Sequence, residues 1–230
     1  MKRKYNSKNR SLWAVVPAHN EQDNISKIVK KAAKYVDKVL VVDDGSRDKT
    51  KEAARKSRAI VLRHIINLGK GATLKTGCDY AIKNGATHII VLDADAQHNP
   101  DDIPRFIEKL EKCDIVFSFR KLSGRMPLVL RFGNWVISRI VAMLFKLSLK
   151  DTQSGFRAFT SEAYKRIRWS ATDYSMESEM IAKAGKQKLK YVQIPIQTVY
   201  TDKYKGTTVL DGIKIVFNML LWKLIRRNGA

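Results

Sequence analysis

The chain has 230 residues, with 44 Lys and Arg against 22 Asp and Glu, a formal charge of +22. At 44% hydrophobic and 29% charged residues it is globular in composition, which excludes a disordered chain and leaves room for one generous domain with a peripheral appendage. Two cysteines, Cys78 and Cys113, lack C-x-x-C spacing and read as ordinary thiols of a reducing compartment, the cytoplasm.

Residues 1–10, M-K-R-K-Y-N-S-K-N-R, form a basic polar tail with no apolar core of a signal peptide, expected to be mobile. Leu12–Pro17 reads as a short apolar strand. Asn20 and Asp23 then suit the cap of a helix from about Glu21 to Tyr35, whose Ile25, Ile28, Val29, Ala32 and Val36 follow the helical period. Val39–Val42 is a second buried strand, ending in Asp43-Asp44-Gly45-Ser46, a turn placed to cap a helix over Lys49–Arg58. A third strand, Ile60–Leu62, precedes a helix over Gly71–Lys83 that Asn84-Gly85 stops. His88–Leu92 is the fourth strand. Asn99-Pro100 opens a helix through Leu110 with proline at its first position, and Asp114–Phe119 is a further strand.

Strands and helices alternating at this spacing imply an α/β fold with a doubly wound, mainly parallel sheet and helices on both faces. Ligands of such sheets bind beyond the carboxyl ends of the strands. Two acidic pairs stand there: Asp43-Asp44 after the second strand, and Asp93-x-Asp95, followed by Gln97, after the fourth. Alternate side chains at a strand end point to one side, so Asp93 and Asp95 are expected to converge. Hard oxygen ligands of this kind suit Mg²⁺ or Mn²⁺ held together with a substrate's phosphates. An Asp-x-Asp pair also arises by chance in caps and loops, and the agreement of both pairs with the strand-end rule is what favours a site.

The second half differs in character. Residues 126–149 are strongly apolar, and on a helix Arg131, Asn134 and Ser138 fall on one stripe opposite Phe132, Val136, Ile137, Ile140, Met143, Leu144 and Leu147. The stripe is either a donor-rich face for phosphate oxygens or the solvated side of a core helix. Ile213–Ile225 is apolar almost all round and ends in Arg226-Arg227. At 1.5 Å per residue it spans roughly 20 Å, too short to cross a bilayer but suited to docking or to a membrane interface. No apolar run reaches the ~20 residues of a membrane span, so the expectation is a chain that is soluble or lies on a membrane surface. A field of +22 attracts polyanions. Nucleic acid is disfavoured because the basic residues are spread along the chain without a recognised module.

Five segments in order, V-V-P-A-H-N-E (Val15–Glu21), V-V-D-D-G-S (Val41–Ser46), N-L-G-K-G (Asn67–Gly71), D-A-D-A-Q (Asp93–Gln97) and D-T-Q-S-G-F-R (Asp151–Arg157), resemble the inverting family 2 glycosyltransferases of GT-A fold. Within that family the chain is most similar to the dolichyl- or polyprenyl-phosphate mannose synthases and their glucosyl relatives. The resemblance implies that Pro17, His19, Glu21, Val42, Asp44, Lys70, Asp93 and Ala94 line the nucleotide-sugar site. Many relatives carry tyrosine at the position of His19. It further implies that Asp93, Asp95 and Gln97 hold the metal, and that Arg120, Arg131 and Ser138 receive the acceptor phosphate. Lys203, where relatives usually have arginine, would close over the diphosphate, with Asp95, Arg120 and Lys203 as the catalytic set. Thr207, Thr208 and Val209 stand where a further basic residue is usual.

The implied organisation is a tail over 1–10, a GT-A catalytic domain over 11–206, and a membrane-associating amphipathic helix over 207–230. The implied reaction is metal-dependent, inverting transfer of a hexose to dolichyl or polyprenyl phosphate at the cytoplasmic face of a membrane. GDP-mannose is favoured as donor, with UDP-glucose or a UDP-N-acetylhexosamine open. An anionic membrane surface is the expected setting, and a separate membrane subunit is left open. A phosphate monoester with a second pKa of about 6 is already largely dianionic at neutral pH and needs no protein base. The rival in the same class is a hydroxyl acceptor with Glu177 as base. His64 and His88 read as structural, His98 as a loop residue near the metal, and Lys165–Trp169 as a helix end.

Overall fold

The computed structural model describes residues 10–120, 138, 139, 142, 143, 145 and 147–197. Seven strands form one sheet: β1 (Leu12–Ala18), β2 (Lys38–Asp44), β3 (Ile60–His64), β4 (His88–Val91), β5 (Ile115–Arg120), β6 (Arg157–Thr160) and β7 (Tyr191–Ile196). The helices are α1 (Ile25–Ala32), α2 (Thr50–Lys56), α3 (Lys70–Lys83), α4 (Ile103–Leu110), α5 (Ser161–Ile167) and α6 (Ser175–Lys186). The strand order is β3-β2-β1-β4-β6-β5-β7. Pairings are parallel from β3 through β4 and between β5 and β7, and β6 alone runs against both neighbours.

Period-two alternation sorts the strand side chains into two cores. Trp13, Val15, Leu40, Val42, Ile89, Val91, Ile115 and Phe117 pack against α3, α5 and α6. Ala14, Val16, Val39, Val41, Ile90 and Val116 pack against α1, α2 and α4. Both faces are therefore covered, as the near-continuous apolar runs of a mainly parallel sheet require. From β1 the chain winds outward to β2 and β3, then returns across to β4. The carboxyl ends of β1 and β4 thus flank the point where strand order reverses, the place where such sheets bind ligands.

Several boundaries differ from the sequence expectation, each for a local reason. The first helix begins at Ile25, not near Glu21, because Asn20 is committed elsewhere: its Oδ1 accepts from Arg47 N, and its own N–H donates to Ser46 Oγ. Asn20 adopts φ 56° to make this link. Asp43 does not cap α2. It accepts from Ser46 N, while Asp48 accepts from Thr50 N at the helix start. Pro100 opens a short 3₁₀ turn, Pro100–Asp102, before α4, with Asn99 accepting from Asp101 N. Strands β6 and β7 were not foreseen, β6 because a charged residue, Arg157, begins it.

Candidate functional site

Three adjacent parallel strands deliver the site. β1 ends in Pro17 and Ala18 and leads to His19 and Glu21; β2 ends in Val42, Asp43 and Asp44; β4 leads to Asp93, Ala94, Asp95 and Gln97. β4 stops at Val91, so Asp93 and Asp95 approach through a turn, not through strand alternation. Ala96 takes φ 61° there, and Gln97 N donates to Asp95 Oδ1 at 3.0 Å. That is a correction to the expected geometry of convergence.

Asp44 anchors the loop between β3 and α3. Its carboxylate accepts from the backbone N–H of Leu68 and of Gly69, both at 2.9 Å, and lies 2.7 Å from His64 Nδ1. His64 is structural in this sense, since its Nε2 also reaches Thr76 Oγ1. The Asp44 carbonyl lies 2.8 Å from His19 Nδ1, which brings His19 from β1 to the end of β2. Glu21 and Val42 are buried beside them, Glu21 N donating to Thr50 Oγ1.

The N-terminus of α3 is seated by close backbone approach. A Cβ on Gly69 would fall 2.5 Å from the Thr172 carbonyl oxygen, and one on Gly71 would fall 2.5 Å from that of Ala171. Gly69 also has φ +92°, a conformation that suits glycine. Trp169 Nε1 donates to Gly71 O and Ala72 N to Thr172 O, completing the clamp. Lys165–Trp169 is accordingly the end of α5 plus packing, with Arg168 paired to Asp79.

Held in this way, Lys70 projects between two carboxylates. Its Nζ is 2.8 Å from Asp93 Oδ1 and 3.1 Å from Glu177 Oε1 at the start of α6. Burial alone would lower the lysine pKa, but Asp93 and Glu177 outweigh it and hold the ammonium above its ordinary range. Burial pushes Asp93 up while Lys70 pulls it down, and the net direction is down. Asp95 goes the other way: burial first, then the neighbouring Asp93 charge, push it up to about 6. His98 is buried, and Asp93 N donates to its Nδ1 at 3.3 Å. Burial pushes this imidazole down to about 4, so it faces the turn as a neutral acceptor.

Two half-buried carboxylates two residues apart, one of them pushed towards protonation by desolvation and by the other's charge, form a donor set that a divalent cation would relieve. Asp93, Asp95 and the Gln97 amide supply hard oxygens for Mg²⁺ or Mn²⁺. Among the described residues no third His, Cys, Asp or Glu joins a metal-ligating cluster. The fit is therefore to an ion that keeps open positions for phosphate or water oxygens, not to an all-protein cage.

At the end of β5, Arg120 forms a bidentate pair with Asp151, 2.7 Å through Nε and 3.2 Å through a terminal nitrogen. The Ser138 hydroxyl is enclosed and makes no hydrogen bond among the described residues. Arg131 and Lys203 lie outside the described residues, as do residues 1–9 and 207–230. Two contributors went unrecognised in the sequence. Gly155 forms a wall, since a Cβ there would fall 2.6 Å from Asp93 Oδ2 and 2.9 Å from Lys70 Nζ. Arg157 is buried and donates to the carbonyls of Thr152, Ser154 and Glu177. Both belong to the segment D-T-Q-S-G-F-R, whose order was the available signal.

Residues 13–168 match the family model described as glycosyl transferase family 2. A UDP-N-acetylglucosamine–dolichyl-phosphate N-acetylglucosaminyltransferase of Methanococcus voltae is 32% identical, over 93% of this chain and 96% of that protein. An undecaprenyl-phosphate mannosyltransferase of Micrococcus luteus is 24% identical, over 94% and 95%. Among solved structures, glucosyl-3-phosphoglycerate synthase from Mycobacterium tuberculosis, in complex with Mn²⁺, UDP and glucosyl-3-phosphoglycerate, superposes with a TM-score of 0.72. It shares 21% identity, covers 96% of this chain and 80% of that one, and so supports the fold.

Proposed function

The chain belongs to glycosyl transferase family 2 and is a glycosyltransferase, and from that premise we propose that it transfers a sugar from a nucleotide diphosphate donor to a polyprenyl or dolichyl phosphate. The observation that carries this reading is the Lys70–Asp93–Glu177 contact. A hydroxyl acceptor would need a base near the reacting centre. Glu177 is the obvious candidate, yet it is 3% exposed and its Oε1 is taken by the Lys70 ammonium. A phosphate acceptor removes the need for it, because its oxygen arrives ionised. The names of the relatives from Methanococcus and Micrococcus, both acting on lipid phosphates, support the same acceptor class.

Asp93, Asp95 and Gln97 would hold a divalent cation, which when bound supplies Lewis-acid stabilisation to the departing diphosphate. Pro17, His19, Glu21 and Val42 would line the nucleoside pocket, with Asp44 shaping it by fixing the 67–69 loop. Arg120, Arg131 and Ser138 would receive the acceptor phosphate, and Lys203 would close over the donor. Arginine forks suit phosphate oxygens, and Asp151 pre-orients the Arg120 fork. Direct displacement inverts the anomeric centre. Residues 207–230 would lie at the membrane surface, on its cytoplasmic side. The sequence resemblance favours GDP-mannose, whereas the 32% identical relative is named for UDP-N-acetylglucosamine, so uridine donors stand beside guanosine ones.

The test is incubation of the full chain, Mn²⁺ and a polyprenyl phosphate with GDP-mannose, UDP-glucose or UDP-N-acetylglucosamine, followed by separation of the lipid product. One donor should label the lipid, and Asp95→Ala should abolish both that labelling and its Mn²⁺ dependence. Labelling of a soluble hydroxyl acceptor in preference to the lipid phosphate, or wild-type rates in Asp95→Ala, would overturn the reading.

A further inference from the structure

A lysine already stands on one of the oxygens that the divalent cation would use. Lys70 Nζ is 2.8 Å from Asp93 Oδ1, a charge-assisted hydrogen bond at full strength. The position is built in. Gly69 and Gly71 let the 171–173 backbone press on the start of α3, and Gly155 closes the opposite wall within reach of both Nζ and the Asp93 carboxylate. Glu177 offers the same ammonium a second partner at 3.1 Å, from a different element and almost wholly buried.

We propose that Lys70 and Glu177 form a resident-cation latch, in which Lys70 occupies Asp93 while no donor is bound and withdraws to Glu177 when a divalent cation takes its place. The inference rests on the reading of Asp93, Asp95 and Gln97 as the metal's holders. A bare divalent ion must break the Lys70–Asp93 bond and then sit close to an ammonium, so it binds weakly alone. A nucleotide diphosphate adds negative charge that both cations share, which couples metal and donor loading. Glu177 is then a positioning residue, since it keeps the displaced ammonium paired within a buried site.

Mn²⁺ titration followed by electron paramagnetic resonance, with and without UDP or GDP, reads this without turnover. Lys70→Met alone would leave Glu177 buried and unpaired, so the principal variant is Lys70→Met combined with Glu177→Gln, which removes both charges together. Without nucleotide it should bind Mn²⁺ about tenfold tighter than wild type, the scale of one charge-assisted hydrogen bond. It should also gain less than wild type does on adding nucleotide. Glu177→Gln alone should weaken Mn²⁺ binding, because the ammonium loses its retreat. If wild type binds Mn²⁺ and the double variant binds it no tighter, the latch is refuted while the metal site stands. If wild type binds no Mn²⁺ even with nucleotide, the metal reading fails and the latch with it.

Discussion

Glu177 and Glu179 lie two residues apart in α6 and do unrelated things. Glu179 accepts from the backbone N–H of Ser170 and Ala171 and pairs with Lys183 at 2.7 Å, so it fastens the 170–171 loop. Glu177 faces Lys70. Nothing in M-E-S-E-M distinguishes the two, because the difference arises from which neighbour each turn of helix meets. A general base contributes on the order of 10²–10⁴ in rate. If Glu177 only positions Lys70, Glu177→Gln at saturating Mn²⁺ should lower kcat by less than about tenfold, well below that range. Steady-state kinetics with the lipid acceptor decides the point, and a loss of about a thousandfold would restore Glu177 as a base. The Asp93–Asp95 pair was legible because an apolar strand ended in acids. The Arg120–Asp151 pair was not, since the bond joins positions 31 residues apart across a segment of different character.

At the scale of elements, the start of α3 is the most demanding joint in the site. Alanine in a helix is usually favoured over glycine by roughly 1 kcal/mol. At Gly71 the sign should reverse, because the new Cβ would lie 2.5 Å from one backbone carbonyl oxygen and 2.8 Å from another, neither at the end of a flexible side chain. Gly71→Ala should cost about 1–3 kcal/mol, lowering Tm by several degrees in a thermal melt, and should reduce donor turnover by displacing Lys70. A Tm at or above wild type would contradict the clamp. The spacing N-L-G-K-G made this loop visible in sequence. Its partner, Ala171 to Asp173, was invisible because it meets Gly69 and Gly71 through main-chain atoms, which carry no residue signature. β6 stayed hidden for a related reason: Arg157 is spent on carbonyls instead of solvent.

His88 opens β4 and gives this element a pH signature. Burial, then the Arg10 charge, push its pKa down to about 4 from an ordinary 6.5. The unfolded chain therefore binds the proton first as pH falls, so the stability held by neutral His88 is complete above about 6.5 and is lost towards 4. The site is only partly buried, so the loss is discounted to about 1–2 kcal/mol. Urea melts at pH 7.5 and 5.0 should show a drop that shrinks by that amount in His88→Gln. His98 is also depressed and sustains the remainder. Equal drops in both proteins would remove His88 from the account.

For the whole molecule, the winding of the sheet concentrates acids at the strand ends of a chain whose net charge is +22. The sequence foretold the mainly parallel sheet because its strands were apolar runs spaced by helices. It could not foretell where the basic excess would face, since 44 cationic residues spread along the chain carry no period. Among the described residues no helix is long and apolar enough to cross a membrane. If the acceptor is a lipid phosphate, attraction of the basic excess to an anionic leaflet would add to any apolar docking of residues 207–230, at roughly 1 kcal/mol per basic residue near the surface. The full chain should therefore sediment with vesicles containing phosphatidylglycerol at low salt, and not with pure phosphatidylcholine. Raising salt to 0.5 M shortens the Debye length below about 5 Å and should release most of it. Retention on neutral vesicles at high salt would instead assign the attachment to apolar contact. A DNA-binding titration under the same salts separates a leaflet from polyanions in general: the charge term is common to both, so only a preference for vesicles carrying the polyprenyl phosphate shows that the acceptor itself is recognised.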